Sequence, residues 1–120
     1  MIWLIGVGGS LGAATRYLLG GYINNKNSKW IHFPLGTWTI NITGSFILGI
    51  LAHLYQNHSI AEALWLFAGV GFCGAYTTFS TFGYETITLI LNREIKLSVF
   101  YVAVSVIVGI MSAWLGYILI

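Results

Sequence analysis

At 120 residues, 58% of them hydrophobic and 7% charged, with a formal net charge of +2, the chain carries far fewer charges than the roughly 25% of an ordinary soluble domain and reads as a membrane protein. It has no aspartate, and Glu62, Glu85 and Glu94 are its only acidic side chains, which removes most carboxylate-pair chemistry, a two-aspartate intramembrane protease included. The lone Cys73 excludes an internal disulfide and, without a second cysteine or well-placed histidines, a zinc site.

Four apolar spans, each near the roughly 20 residues needed to cross the hydrocarbon core, fall at about 2–23, 37–55, 61–91 and 97–119. The first has no basic leading region and no small-residue cleavage site, so it is expected to stay as a helix. Its small residues recur four apart, Gly8 with Gly12, Gly9 with Ala13 and Ser10 with Ala14, the spacing that lets membrane helices approach closely. Arg16, in the last third of this span, can snorkel toward the headgroups; it reads as an anchor unless a vestibule opens beside it. A polar turn is expected at Asn24-Asn25-Lys26-Asn27, its end marked by Pro34 and Gly36. In the second span Thr37, Asn41 and Ser45 share one helical face. An amide at that depth has two donors to satisfy, and it either bonds a neighbouring helix or faces water and ions. This span ends near Gln56-Asn57-His58.

The third span is too long for one straight crossing, since about thirty residues of continuous helix reach roughly 45 Å. A break is expected near 74–80, in the string GAYTTFSTF. There Thr77 to Thr81 are all hydroxyl or phenyl residues, with rings three apart at Phe79 and Phe82. Lipid-facing helix does not tolerate such a run, which fits a place where a helix opens and its freed backbone groups line a polar path. A loop tip or a hydroxyl-rich helix interface is the plainer alternative. Glu85, one turn further on, is the only acidic group well inside a span; it is either functional or bonds backbone amides freed at the break. Asn92 to Lys96 hold the one dense charge cluster. In the fourth span Ser105, Gly109, Ser112 and Gly116 form a small-residue stripe that Tyr101 extends, serving packing, pore lining or both. His32, His53 and His58 fall in loops or at interfaces and are assigned no chemistry.

These groups are poor at covalent chemistry and well suited to a small ion. Hydroxyl and amide donors can replace the hydration shell of an anion, and the edge of a phenyl ring is the positive end of its quadrupole. No lysine or arginine stands between Thr77 and Phe82 to hold an anion too tightly, which favours conduction over capture. Carbonyls freed at the same break suit a monovalent cation.

Over all four spans the chain resembles the CrcB/Fluc family of fluoride channels. The likeness rests on Gly8-Gly9-Ser10-Leu11-Gly12-Ala13 followed by Arg16-Tyr17, and on Pro34-Leu35-Gly36-Thr37 with Asn41 and Gly44. Above all it rests on Gly71-x-x-Gly74-x-x-Thr77-Thr78-Phe79-Ser80-Thr81-Phe82-x-x-Glu85. It implies an all-α membrane protein of four transmembrane helices, the third broken, assembled as an antiparallel dimer with two pores. Each pore is then lined by Phe79, Phe82 and Asn41 and by a polar track through Ser80, Thr81, Tyr101 and Ser105; from the reading of the residues themselves, Arg16 and Glu85 are candidates for a vestibule or for support of the break. A structural sodium ion is implied at the dimer centre, held by the main-chain carbonyls of Gly74 and Thr77. The implied activity is passive, selective efflux of fluoride across a bacterial plasma membrane, not an enzymatic reaction, and no nucleic acid is an expected partner.

A single four-helix chain is too small to enclose a pore and pack itself, so a dimer is expected on physical grounds too. Lys26, Lys29, Arg93 and Lys96 all fall in the first and third connections, whereas the 56–60 connection and both termini carry no lysine or arginine. That asymmetry predicts one orientation with both termini outside the cytoplasm, so the partner is either a second copy or a related chain of opposite orientation. A rival reading, a small proton-coupled multidrug exporter, wants a carboxylate in the first span, which has none. A non-transporting assembly subunit leaves the phenyl pair and the break unexplained.

Overall fold

The computed structural model describes residues 2–27 and 33–119, and the ordered elements among them are all helical. Helix α1 runs Ile2–Asn27 and α2 runs Leu35–Gln56. The third crossing, Glu62–Leu91, is composite: α3 (Glu62–Leu64), a π-helical stretch (Trp65–Cys73), α4 (Gly74–Tyr76), three non-helical residues, and α5 (Ser80–Leu91). Helix α6 spans Ile95–Ile118. The long axis of 48 Å covers a hydrocarbon core of roughly 30 Å and reaches into both headgroup layers.

Local chemistry accounts for most of these boundaries. Pro34 cannot donate a backbone hydrogen bond and stands just outside α2, where its carbonyl accepts the Trp38 N–H at 3.1 Å. The backbone of Asn24 to Asn27, expected as a turn, is still helical; that stretch contains no glycine or proline to end α1. Lys29 and His32 lie outside the described residues. The break is narrower than the expected 74–80, because Gly74 to Tyr76 remain helical and Ser80 already opens α5. Nothing in the sequence reading anticipated the π-helical stretch.

Both α2 and α5 end in a Schellman motif whose left-handed residue is not glycine. The amides of Ser59 and His58 return to the carbonyls of Leu54 and Tyr55, and those of Glu94 and Arg93 to Leu89 and Ile90. The φ angles at the two turning residues are 58° at His58 and 62° at Arg93. A Cβ costs roughly 1 kcal/mol there. His58→Gly is therefore expected to raise the melting temperature in detergent micelles, and an unchanged or lower value would contradict this account of the α2 terminus.

Packing depends on missing side chains. In lipid the apolar effect does little to hold helix to helix, so close backbone contact supplies the attraction. A Cβ at Gly8 or Gly12 would collide with the carbonyls of Phe67 and Phe72 in the π-helical stretch, and one at Gly49 or Gly116 with those of Ala113 and Phe46. Thus α1 lies backbone to backbone on the first half of the third crossing, and α2 does the same on α6. Side-chain hydroxyls add to the second seam, where Ser112 Oγ donates to the Ile42 carbonyl at 2.8 Å. Ser98 Oγ joins α6 to α5 through the Thr86 carbonyl at 3.2 Å. Of the expected stripes, Gly8, Gly12, Ser112 and Gly116 are in these seams, whereas Ser10 and Ala14 are exposed and Ser10 bonds its own helix at Gly6. Large apolar residues such as Ile2, Leu18 and Ile110 are exposed, as a lipid-facing surface requires.

Candidate functional site

One turn of α2 holds the chain as it enters the break, at Tyr76, Thr77 and Thr78. Thr78 gives its N–H to Asn41 Oδ1 at 2.8 Å, and its carbonyl accepts from Asn41 Nδ2 at 3.1 Å, so the side-chain amide stands in for the two helical bonds that Thr78 gives up. Tyr76 reaches the hydroxyl of Thr43 at 2.9 Å. Thr77 places its methyl group against Gly44, where a Cβ would stand. The Thr78 hydroxyl then accepts the Thr81 N–H at 3.3 Å, capping the first turn of α5. Asn41 has one N–H left over from this clamp.

Two cavities meet at the break. The larger, of about 350 Å³, is bordered by Asn41, Ser45, Thr77, Thr78, Phe79, Phe82 and Ser105 together with aliphatic residues of α2 and α6. Its lining contains no ionisable side chain. The Phe79 and Phe82 ring centroids are 6.3 Å apart. Phe79 is 85% exposed on the single chain, whereas Phe82 leans on Tyr101, centroid to centroid 5.0 Å. Ser105 borders this cavity, and among the described residues its buried hydroxyl has no hydrogen-bond partner.

The smaller cavity, of about 240 Å³, is bordered by Arg16, Tyr17, Thr37, Thr81 and Glu85 among others. Arg16 and Glu85, far apart in sequence, therefore open onto one polar space. The Tyr101 hydroxyl donates to Glu85 Oε1 at 3.2 Å, and the Thr37 hydroxyl lies beside the same carboxyl. Tyr101 itself has no exposed surface in the single chain; its ring is enclosed by Phe33 and Phe82. Thr78 borders both cavities and Thr81 only the smaller one, while Ser80 is exposed at the start of α5.

Gly74 and Thr77 sit on the approach to the break. The donor that an unbroken α-helix would aim at the Gly74 carbonyl is the Thr78 N–H, which Asn41 has taken. Thr77, with ψ of 153°, turns its peptide plane out of helical alignment. The Thr77 hydroxyl is engaged with the Cys73 carbonyl at 2.9 Å. The φ of Gly74, −61°, is ordinary and a Cβ there meets nothing within 4 Å. The glycine leaves an open surface beside its carbonyl. Among the described residues no cluster of three or more His, Cys, Asp or Glu side chains is placed to hold a metal.

The sequence reading put Asn41, Phe79, Ser80, Thr81, Phe82, Tyr101 and Ser105 on one path; in the structure Asn41, Phe79, Phe82 and Ser105 border the larger cavity, Thr81 borders the smaller one with Arg16 and Glu85, and Ser80 and Tyr101 border neither of the two. That reading did not find Thr78, whose peptide is the object of the Asn41 clamp, or Thr43, whose partner Tyr76 lies 33 positions away. The one available signal for Thr78 was its place in the hydroxyl run.

Comparison with known proteins covers almost the whole chain. The family model described as CrcB-like protein, Camphor Resistance (CrcB), matches residues 3–117. Similar proteins include "Fluoride-specific ion channel FluC 2" of Rhodococcus jostii, 42% identical over 97% of this chain and 95% of that one. "Fluoride-specific ion channel FluC 2" of Moorella thermoacetica is 44% identical over 98% and 94%. "Fluoride-specific ion channel FluC 1" of Geobacillus kaustophilus is 39% identical over 94% and 91%.

Proposed function

Because this chain belongs to the CrcB-like family, we propose that it is a passive, fluoride-selective channel, a multi-pass protein of the bacterial plasma membrane that lets cytoplasmic fluoride flow out. The observation that carries the reading is the larger cavity, where an amide N–H, the Ser105 hydroxyl and two phenyl rings converge without a charged side chain. Fixed neutral donors and ring edges can replace the water of a small anion while letting it leave. The work is transport, not enzymatic chemistry. A proton-coupled exporter is not favoured, since α1 contains no carboxylate. The proposal is tested by expression in a bacterium made hypersensitive to fluoride by loss of its own export: growth on fluoride medium should be restored, and no protection at normal expression would count against it.

The working unit in this reading is an antiparallel dimer with two pores, in each of which Asn41, Phe79, Ser80, Thr81, Phe82, Tyr101 and Ser105 contribute to the path. The exposed ring of Phe79 and the open surface at Gly74 fit a face that a second subunit covers. Arg16 and Glu85 form a polar vestibule beside it. A sodium ion at the dimer centre would be held by the carbonyls of Gly74 and Thr77, where it supplies fixed positive charge and ties the two breaks together. Thr77→Val should leave sodium binding intact, because the ligand in this reading is the Thr77 carbonyl and not its hydroxyl. Loss of sodium-dependent thermal stabilisation in that variant would contradict carbonyl ligation.

The charge asymmetry bears on the partner. Arg93 and Lys96 flank the third connection and Lys26 ends α1 on the same side, with no lysine or arginine at 56–60. Reporters fused to the C terminus are expected to appear only outside the cytoplasm, which would call for a related chain of opposite orientation. A dual signal from both sides, as a homodimer of dual topology requires, would overturn the fixed orientation.

A further inference from the structure

Within one turn, α2 presents Asn41, Thr43 and Gly44 to the three residues of the crossing that follow one another into the break: Thr78, Tyr76 and Thr77 respectively. Two of these contacts are hydrogen bonds. The third is an absence, since Gly44 is buried and the Thr77 Cγ2 occupies the space its side chain would fill, with Tyr76 Cδ2 only 3.0 Å from the same point. Thr77 is bonded to Thr78 by one peptide, so any outward shift of Thr77 carries the Thr78 N–H and carbonyl away from Asn41.

We propose that Gly44 is a positioning residue for the ion path: by lacking a side chain it seats Thr77 against α2, which holds Thr78 in the Asn41 clamp. The clamp consumes the Asn41 oxygen and one of its N–H bonds, and so aims the remaining N–H into the cavity shared with Phe79 and Phe82. A methyl group at position 44 would meet Thr77 Cγ2, open the clamp and leave the amide free to rotate. The inference rests on the channel reading above and adds a residue to it. It differs from the close approaches at Gly49 and Gly116, where a Cβ would meet the backbone of a neighbouring helix far from the break.

The contact partner supplies the test. Thr77→Ser removes Cγ2 while keeping the hydroxyl bonded to Cys73, so it should make room for Gly44→Ala. Fluoride flux from proteoliposomes is expected to fall about tenfold or more in Gly44→Ala, as for other small displacements of a positioned group. It should return to within about threefold of the unmodified protein in Gly44→Ala/Thr77→Ser, the coupling expected of residues in contact. Hydrogen exchange at the Thr78 amide, read by NMR in micelles, should be accelerated about tenfold or more in Gly44→Ala and slowed again in the double variant. Thr77→Ser should not restore Gly49→Ala. Should Gly44→Ala fail to fold, the double variant must still fold, conduct and protect Thr78. Normal flux in Gly44→Ala, a double variant as poor as the single one, or unaltered Thr78 exchange would each overturn the proposal. Absence of fluoride flux from the unmodified chain would instead overturn the channel reading itself.

Discussion

Asn41→Asp is expected to abolish fluoride flux, by about a hundredfold or more, because it fails twice at one atom. Asn41 Nδ2 now donates to the Thr78 carbonyl at 3.1 Å; an aspartate oxygen in its place would face that carbonyl lone pair to lone pair. The same substitution puts a fixed negative charge at the wall of a cavity that must admit an anion. The other half of the clamp survives, since a carboxylate still accepts the Thr78 N–H, so the protein is expected to fold and insert. Efflux of fluoride from loaded proteoliposomes checks the result, with full activity showing that Asn41 only packs.

The second large effect concerns the rings. Phe79→Ile and Phe82→Ile should each lower fluoride flux about tenfold or more, because isoleucine fills much of the same volume without the positive edge of a phenyl ring. The two should differ in their structural cost. Phe79 is exposed and, among the described residues, its ring meets only that of Phe82, so its replacement should leave the melting temperature of the chain nearly unchanged. Phe82 also leans on Tyr101, whose hydroxyl holds Glu85, so its loss should loosen α5 against α6 as well. Retained flux in both variants would remove the rings from the path.

How much of this was legible beforehand depends on the range of the interaction. Four membrane helices followed from hydropathy and length, and a break in the third from a span too long for one crossing interrupted by hydroxyl residues. The small-residue stripes at Gly8 and Gly12 and at Ser112 and Gly116 were readable because helical spacing is local. What Asn41 does was not: its partner Thr78 lies 37 positions away, and spacing within α2 says only which face the amide occupies. The link between Tyr101 and Glu85 was hidden for the same reason. The π-helical stretch Trp65–Cys73 left no trace because WLFAGVGFC is equally apolar in either coil; it is the stretch whose backbone lies against Gly8 and Gly12 of α1. Gly74, beside the break, is helical, and the turn itself is made by Thr77, with ψ of 153°.

Passive conduction of fluoride is the central claim, and electrode-detected efflux tests it most directly. Liposomes containing only this chain, or this chain with a related one of opposite orientation, are loaded with potassium fluoride, placed in fluoride-free buffer at equal pH on both sides, and made permeable to potassium. Rapid release of fluoride, with no comparable release of chloride from vesicles loaded with potassium chloride, is the expected result. Fluoride retained in both preparations, or released only when a proton gradient is imposed, would contradict the account.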